Sequence, residues 1–194
     1  ISRTSAEGTD HTVETLSLSS DEKAMVEKVT SAFENVVVLF NIGNVMEMGW
    51  IDEYESIKAA AIVWIPGEFG MTAVPQMLDG KVNPSGRLTD TISYKIEDHP
   101  SSECFGSYEY NGGKNFVEYY EGIYVGYRYF ETFAKDKVQY PFGYGLSYTT
   151  FEYSPVTLST SEVAKGGSVK AEVTVTNTGK VAGKEAVQLY VSAP

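Results

Sequence analysis

Apolar residues first fall into a helical rhythm after Ser19. Ser19 and Glu22 stand at capping-box spacing, and Met25, Val26, Val29 and Phe33 follow at helical intervals. This pattern predicts a helix over 20–33. The continuous run Val36-Val37-Val38-Leu39-Phe40 is rich in β-branched residues and reads as a strand buried on both faces of a parallel sheet. Residues 45–56 are less regular, and 59–65 read as a second buried strand that includes Trp64. Pro66-Gly67-Glu68 turns the chain into a helix over 69–78, with Gly80 as its stop. The turn-forming Lys81-Val82-Asn83-Pro84-Ser85-Gly86 precedes a short alternating strand over 87–92. Helix and strand alternate throughout this half, which predicts an α/β layer architecture with a mainly parallel sheet and flanking helices.

Between 93 and 150 the periodicity fades while aromatics accumulate, from Tyr108 and Tyr110 to Tyr127, Tyr129 and Phe130. A long stretch of this kind is expected to run along a protein surface and be buried by it. Pro141-Phe142-Gly143-Tyr144-Gly145-Leu146-Ser147-Tyr148-Thr149-Thr150-Phe151 joins aromatics to glycines and a proline. Such a composition suits a strap pinned between packed bodies better than a mobile linker. Beyond it only strand-like patterns remain, at 156–159, 168–177 and 185–192, with a turn at Asn177-Thr178-Gly179-Lys180. Three strands with short turns read as the start of a β-sandwich, a fold that needs about seven.

Composition narrows the function classes. The chain has 194 residues, 42% hydrophobic and 21% charged, enough for a buried core in one domain or two small ones. A net charge of −11, with no cluster of Lys or Arg, disfavours nucleic acid and anionic membrane surfaces as partners. The apolar runs are too short to span a bilayer, and no export-signal pattern is visible, so localisation stays open between cytoplasmic and secreted. Cys104 is the single cysteine, which leaves no internal disulfide, and it lacks the basic neighbours that activate a thiol. His11 and His99 lie far apart in the chain and do not make a metal site, and no cofactor is expected.

Three separated motifs carry a family likeness. Asn83-Pro84-Ser85-Gly86-Arg87-Leu88, Tyr120-Glu121-Gly122-Ile123-Tyr124-Val125-Gly126-Tyr127-Arg128-Tyr129 and Pro141-Phe142-Gly143-Tyr144-Gly145-Leu146-Ser147-Tyr148-Thr149 resemble glycoside hydrolase family 3, in the family's order. Gly67-Glu68-Phe69-Gly70 and Gln188-Leu189-Tyr190-Val191 fit as well. The resemblance implies three parts for this chain. Residues 1–98 are similar to the later part of an α/β sandwich domain, 99–150 to an interdomain strap, and 151–194 to the first strands of an incomplete fibronectin type III-like domain. It also implies a (β/α)8 barrel elsewhere in the enzyme, carrying an aspartate nucleophile in a motif resembling Ser-Asp-Trp that this sequence does not contain. Whether the barrel precedes or follows these parts is left open.

A retaining glycosidase needs two carboxyl groups about 5 Å apart, one a nucleophile and one an acid that later acts as base. Ser5-Ala6-Glu7-Gly8 resembles the Ser-Gly-Glu-Gly loop that holds the acid/base in many β-glucosidases of the family, with Ala6 replacing a glycine. The resemblance thus makes Glu7 the general acid/base; on local sequence alone it reads as a solvated loop residue. Asp10-His11 resembles a following Asp-Arg pair. His11 and Trp50 are secondary candidates for contact with sugar, against plainer roles in loop hydrogen bonding and packing. For Trp64 the strand pattern favours core packing. The implied activity is hydrolysis of terminal β-linked sugars, β-glucosides first, with β-xylosides or α-L-arabinofuranosides as alternatives. Its partners would be an oligo- or aryl β-glycoside and the remainder of the same enzyme. The isolated chain is expected to be inactive, and a non-catalytic scaffolding or carbohydrate-binding segment is the competing reading.

Overall fold

The computed structural model describes residues 1–3, 12–104, 108–110 and 114–191. The chain forms two compact units, Ile1–Met71 with Leu88–Tyr144, and Thr72–Arg87 with Gly145–Pro194.

In the first unit, α1 (Ser20–Ala32) begins where the capping box predicts. The Ser19 side chain accepts from the Glu22 N–H, and Glu22 accepts from the Ser19 N–H at 2.9 Å. β1 (Val36–Phe40) pairs in parallel with β2 (Ile57–Ile62). Val38, Phe40 and Ile42 enter a core with Leu18, Val26, Met46, Met48, Ile51 and Ile92. The expected burial of both sheet faces is not met among the described residues: Val37 is half exposed, and Ala59 and Ala60 of β2 are exposed. A continuous apolar run records what a strand can bury, and here the described chain covers one face.

β2 stops earlier than the apolar run suggests. The Val63 N–H still reaches the Phe40 carbonyl at 2.8 Å, but Trp64 then turns with φ 53°, a left-handed conformation costly for a bulky side chain. Trp64 is therefore a half-buried turn residue, which corrects its expected place inside the strand. The helix expected over 69–78 is two short ones, α2 (Gly67–Gly70) and α3 (Ala73–Leu78). Pro75 has no N–H to offer the carbonyl four residues back, so one continuous ladder through Met71 is impossible.

The strand expected at 87–92 shrinks to β3 (Ile92–Ser93), although Leu88 still exchanges backbone bonds with Gly143 and Tyr144, each at 2.8 Å. The aromatic stretch has more local structure than its sequence suggests. It contains the antiparallel hairpin β4 (Tyr108–Tyr110) and β5 (Lys114–Phe116), the helix α4 (Tyr127–Phe133), and β6 (Val138–Tyr140), which pairs antiparallel with β3. At seven residues α4 is too short for its period to stand out among the surrounding aromatics. They find ring partners instead: Phe130 meets His99 edge-on at 4.9 Å, and Tyr127 stacks on Phe142 at 5.2 Å. Burial holds the His99 imidazole below its ordinary pKa, against the opposing pull of Asp98, Asp90 and Glu121. Cys104 is buried and lies 3.4 Å from the Glu118 carbonyl.

The second unit joins α3 to two antiparallel pairs. β7 (Phe151–Tyr153) pairs with β10 (Val175–Asn177), and β8 (Thr157–Leu158) pairs with β9 (Ala171–Glu172). The third strand expected at 185–192 joins no ladder among the described residues, and Leu189 and Val191 are exposed. Alternation makes such a segment competent to pair, but a strand also needs a hydrogen-bonded neighbour.

Candidate functional site

Residues 1–3 reach the carboxyl edge of the parallel strands. Residues 1–3 run alongside β1 through a parallel bridge between Ser2 and Asn41. The Asn41 N–H donates to Ile1 O at 2.9 Å and the Arg3 N–H donates to Asn41 O at 3.0 Å. Arg3 therefore lies beyond the carboxyl end of β1, on the side where open α/β sheets bind ligands. Asn41 also donates through Nδ2 to the carbonyl of Trp64 at 2.5 Å, which holds the left-handed turn at the end of β2. Glu7 and His11 lie outside the described residues.

Thr12 precedes a 3-10 turn over Val13–Leu16. That turn is tied back to residues 1–3. Arg3 donates through Nε to Thr15 O at 3.4 Å and through Nη2 to Ser17 O at 3.2 Å. The same guanidinium grips both oxygens of Glu22, with Nη2 at 2.5 Å from Oε2. Glu47 supplies a second tie. Its carboxylate accepts from Ser17 Oγ at 2.8 Å and from the Ile96 N–H at 3.0 Å, and its N–H donates to Leu16 O at 2.8 Å. Trp50 sits next to this node. Its indole N–H donates to Glu47 O at 3.1 Å and its ring lies 5.9 Å from that of Phe40.

The Arg3 guanidinium brings the Glu22 carboxyl down to about 2, and the same bond raises Arg3. Since the folded carboxyl is more acidic than an unfolded glutamate, its contribution is complete above about pH 4.5 and drains away as pH falls toward 2. Allowing for solvent screening, about 1–2 kcal/mol is at stake. Glu22→Gln keeps an acceptor for the helix cap and removes the charge. Urea midpoints measured across this pH range should fall less steeply for the variant than for the parent, and equal slopes would show that the pair adds nothing.

Sequence reasoning did not single out Arg3 or Asn41. Arg3 and Glu22 are 19 positions apart, so nothing local advertises their pairing.

In the second unit, the Asn83-Pro84-Ser85-Gly86-Arg87 motif works as a clamp. Asn83 Oδ1 accepts from Ser147 Oγ at 3.0 Å and the Tyr148 N–H at 2.8 Å, while its amide donates to Ala182 O at 2.9 Å. Ser85 Oγ accepts from the Lys184 N–H at 3.1 Å. Arg87 pairs with Glu185 at 2.5 Å, and Glu185 also accepts from the Tyr153 hydroxyl at 2.8 Å. Gly145 sits so close to this turn that a Cβ there would press on Gly86 O and stand 3.0 Å from the Arg87 side chain.

Residues 1–148 match the glycosyl hydrolase family 3 C-terminal domain. The chain belongs to this family. Among curated relatives, beta-glucosidase A of Butyrivibrio fibrisolvens is 46% identical over 91% of the chain and 22% of its own length. An exo-alpha-(1->6)-L-arabinopyranosidase of Bifidobacterium longum is 39% identical over 96% of the chain and 23% of its length. Among solved structures, beta-glucosidase 3B from Thermotoga neapolitana in complex with glucose superposes with a TM-score of 0.77 at 38% identity, covering 92% of this chain and 25% of that one. The chain thus spans less than a quarter of the length of the curated relatives named here. The α/β character of the fold agrees with its family 3 neighbours.

Proposed function

We propose that this chain is part of a retaining β-glycosidase of glycosyl hydrolase family 3, a β-glucosidase by preference, and that it supplies the general acid/base Glu7. The supporting observation is local: Arg3, which precedes Ser5-Ala6-Glu7-Gly8 in the chain, lies beyond the carboxyl end of β1 and is bonded to Thr15 and Ser17 on the other side of that motif. A barrel domain of the same enzyme provides the aspartate nucleophile. Residues 151–194 are the first strands of a fibronectin type III-like domain, a reading supported by the antiparallel pairs β7–β10 and β8–β9. The strap reading of the aromatic stretch belongs to the same proposal: Tyr119, Tyr120 and Ile123 are exposed and available to another part of the enzyme.

In this mechanism Glu7, protonated at first, gives its proton to the glycosidic oxygen as the C1–O bond breaks and the aspartate takes the sugar. The resulting Glu7 carboxylate then removes a proton from water as that water displaces the aspartate at C1. Two inversions return the starting configuration. No metal or cofactor takes part. His11 and the partly buried Trp50 are proposed to help frame the sugar.

The name of the arabinopyranosidase relative favours a second substrate class, α-L-arabinosides. In the full-length enzyme, kcat/KM for aryl β-glucoside, β-xyloside and α-L-arabinoside should rank the β-glucoside first, and NMR should show β-glucose as the first-formed anomer. First appearance of α-glucose would rule out retention. Sugar binding without turnover would support the scaffolding alternative instead.

A further inference from the structure

We propose that His99 is an acid-sensitive latch: uncharged, its ring holds α4 against the turns that follow β3, and on protonation it releases that helix. The latch is independent of the chemistry proposed for Glu7. His99 lies between two 3-10 turns, Ile96–Asp98 and Pro100–Cys104. Its backbone is fixed on both sides, the N–H donating to Ile96 O at 3.0 Å and the carbonyl accepting from the Ser102 N–H at 3.0 Å. The imidazole meets Phe130 with ring centroids 4.9 Å apart and planes at 85°. Phe130 is 1% exposed and is the buried residue of α4, whereas Phe133 of the same helix is 60% exposed. A helix of seven residues has no stability of its own in water, so α4 stays docked only while its ring contacts hold. The contact with His99 is the buried one.

The neutral and charged forms of the ring need different surroundings. A neutral imidazole packs against an aromatic ring at little cost, whereas an imidazolium carries two N–H donors and a charge that burial strips of water. Burial is the strongest influence on His99 and disfavours its charged form, while Asp98, Asp90 and Glu121 favour it and offset part of that cost. Asp98 is itself engaged by Lys137 at 3.6 Å. The other charged or titratable side chains on the packed elements are Glu97, Glu103 and Cys104 in the two turns, and Tyr127, Arg128, Tyr129 and Glu131 in α4, where Glu131 pairs with Lys135 at 3.0 Å. A solvated histidine takes its proton at about pH 6.5. The docked ring takes one only at lower pH, so protons bind the released form by preference. The contribution of the latch is therefore complete above about pH 6.5 and is lost as pH falls through the lower value of the docked ring.

The test is amide hydrogen exchange in the full-length enzyme from about pH 8 to about pH 5, expressed as protection relative to the intrinsic rate at each pH. The Phe130 and Ala134 amides, bonded to Gly126 O and Phe130 O, should lose protection several-fold toward the acid end, while those of β1 and β2 keep theirs. His99→Phe keeps an aromatic ring at the contact and cannot take a proton, so the pH-dependent loss should vanish. Glu121→Gln removes a charge that favours the imidazolium in the docked state, so the loss should grow. This second variant leaves the ring contact in place and decides the matter should His99→Phe fail to fold. Steady protection of α4 in the parent, an equal loss in β1 and β2, or the parental loss retained in His99→Phe overturns the latch. So does a loss in Glu121→Gln no larger than that of the parent.

Discussion

Glu7→Gln should slow cellobiose hydrolysis by the full-length enzyme about a hundredfold to ten-thousandfold, the span that a positioned general acid contributes. Gln matches the glutamate in shape and carries no transferable proton. An alkoxide leaving group then departs unaided, and the first step becomes limiting for natural disaccharides. A dinitrophenolate needs no such help, so glycosylation by dinitrophenyl β-glucoside should proceed near the parental rate. The second step suffers next, because no carboxylate remains to deprotonate water, and the glycosyl-enzyme accumulates. A pre-steady-state burst of dinitrophenol followed by slow turnover is the expected trace. Azide is already a nucleophilic anion and requires no base. Its addition should restore turnover and yield the β-glycosyl azide. The basic limb of the pH profile for kcat/KM, which reports ionisation of the acid, should vanish in the variant. Parental hydrolysis of cellobiose by Glu7→Gln would end the assignment.

Arg87→Ala should destabilise the second unit by about 2–4 kcal/mol, the largest stability effect expected of any single contact described above. The two side chains are largely sheltered, at 13% and 16% exposure, and removing the guanidinium leaves Glu185 with the Tyr153 hydroxyl as its remaining described partner. That hydroxyl cannot neutralise the carboxylate. Indeed the Glu185 hydrogen bond already holds the Tyr153 phenol above its ordinary pKa. Because Arg87 and Glu185 lie 98 positions apart, their loss loosens a long closure between the motif at 83–87 and the far part of the unit. Amide exchange in the full-length enzyme should quicken across 145–191 while β1 and β2 keep their protection. Arg87→Lys should recover part of the loss through charge but not the fork. Unchanged exchange in Arg87→Ala would mean that the Asn83 clamp holds this unit without the pair.

Much of the local structure was legible in the chain. α1 starts at Ser19 because a capping box is a local device: side chain and backbone three residues apart satisfy each other wherever the chain lies. β1 is legible because a run of β-branched residues prefers extended backbone. The short elements were hidden for equally physical reasons. Gly70 and Pro75 divide what hydropathy reads as one helix. α4 spans only seven residues, too short a run for its polar side of Arg128, Glu131 and Thr132 to stand out from the aromatic stretch around it. Trp64 looked like a strand residue because hydropathy carries no information about φ.

The candidate site divides along the same line. Ser5-Ala6-Glu7-Gly8 was named from a motif, and a motif needs no coordinates. The contacts of Arg3 are different, since its partners Thr15, Ser17 and Glu22 become neighbours only when residues 1–3 lie beside β1 and α1 begins nearby. By itself the sequence determined the family, the α/β class, the capped helix, the first parallel strand and the residue proposed for acid/base chemistry. Only the tertiary structure decided that residues 72–87 join those beyond 144 in one compact unit, and which distant charges meet. Periodicity and capping act over a few residues, whereas pairing across 19 or 98 positions depends on the whole path of the chain between them.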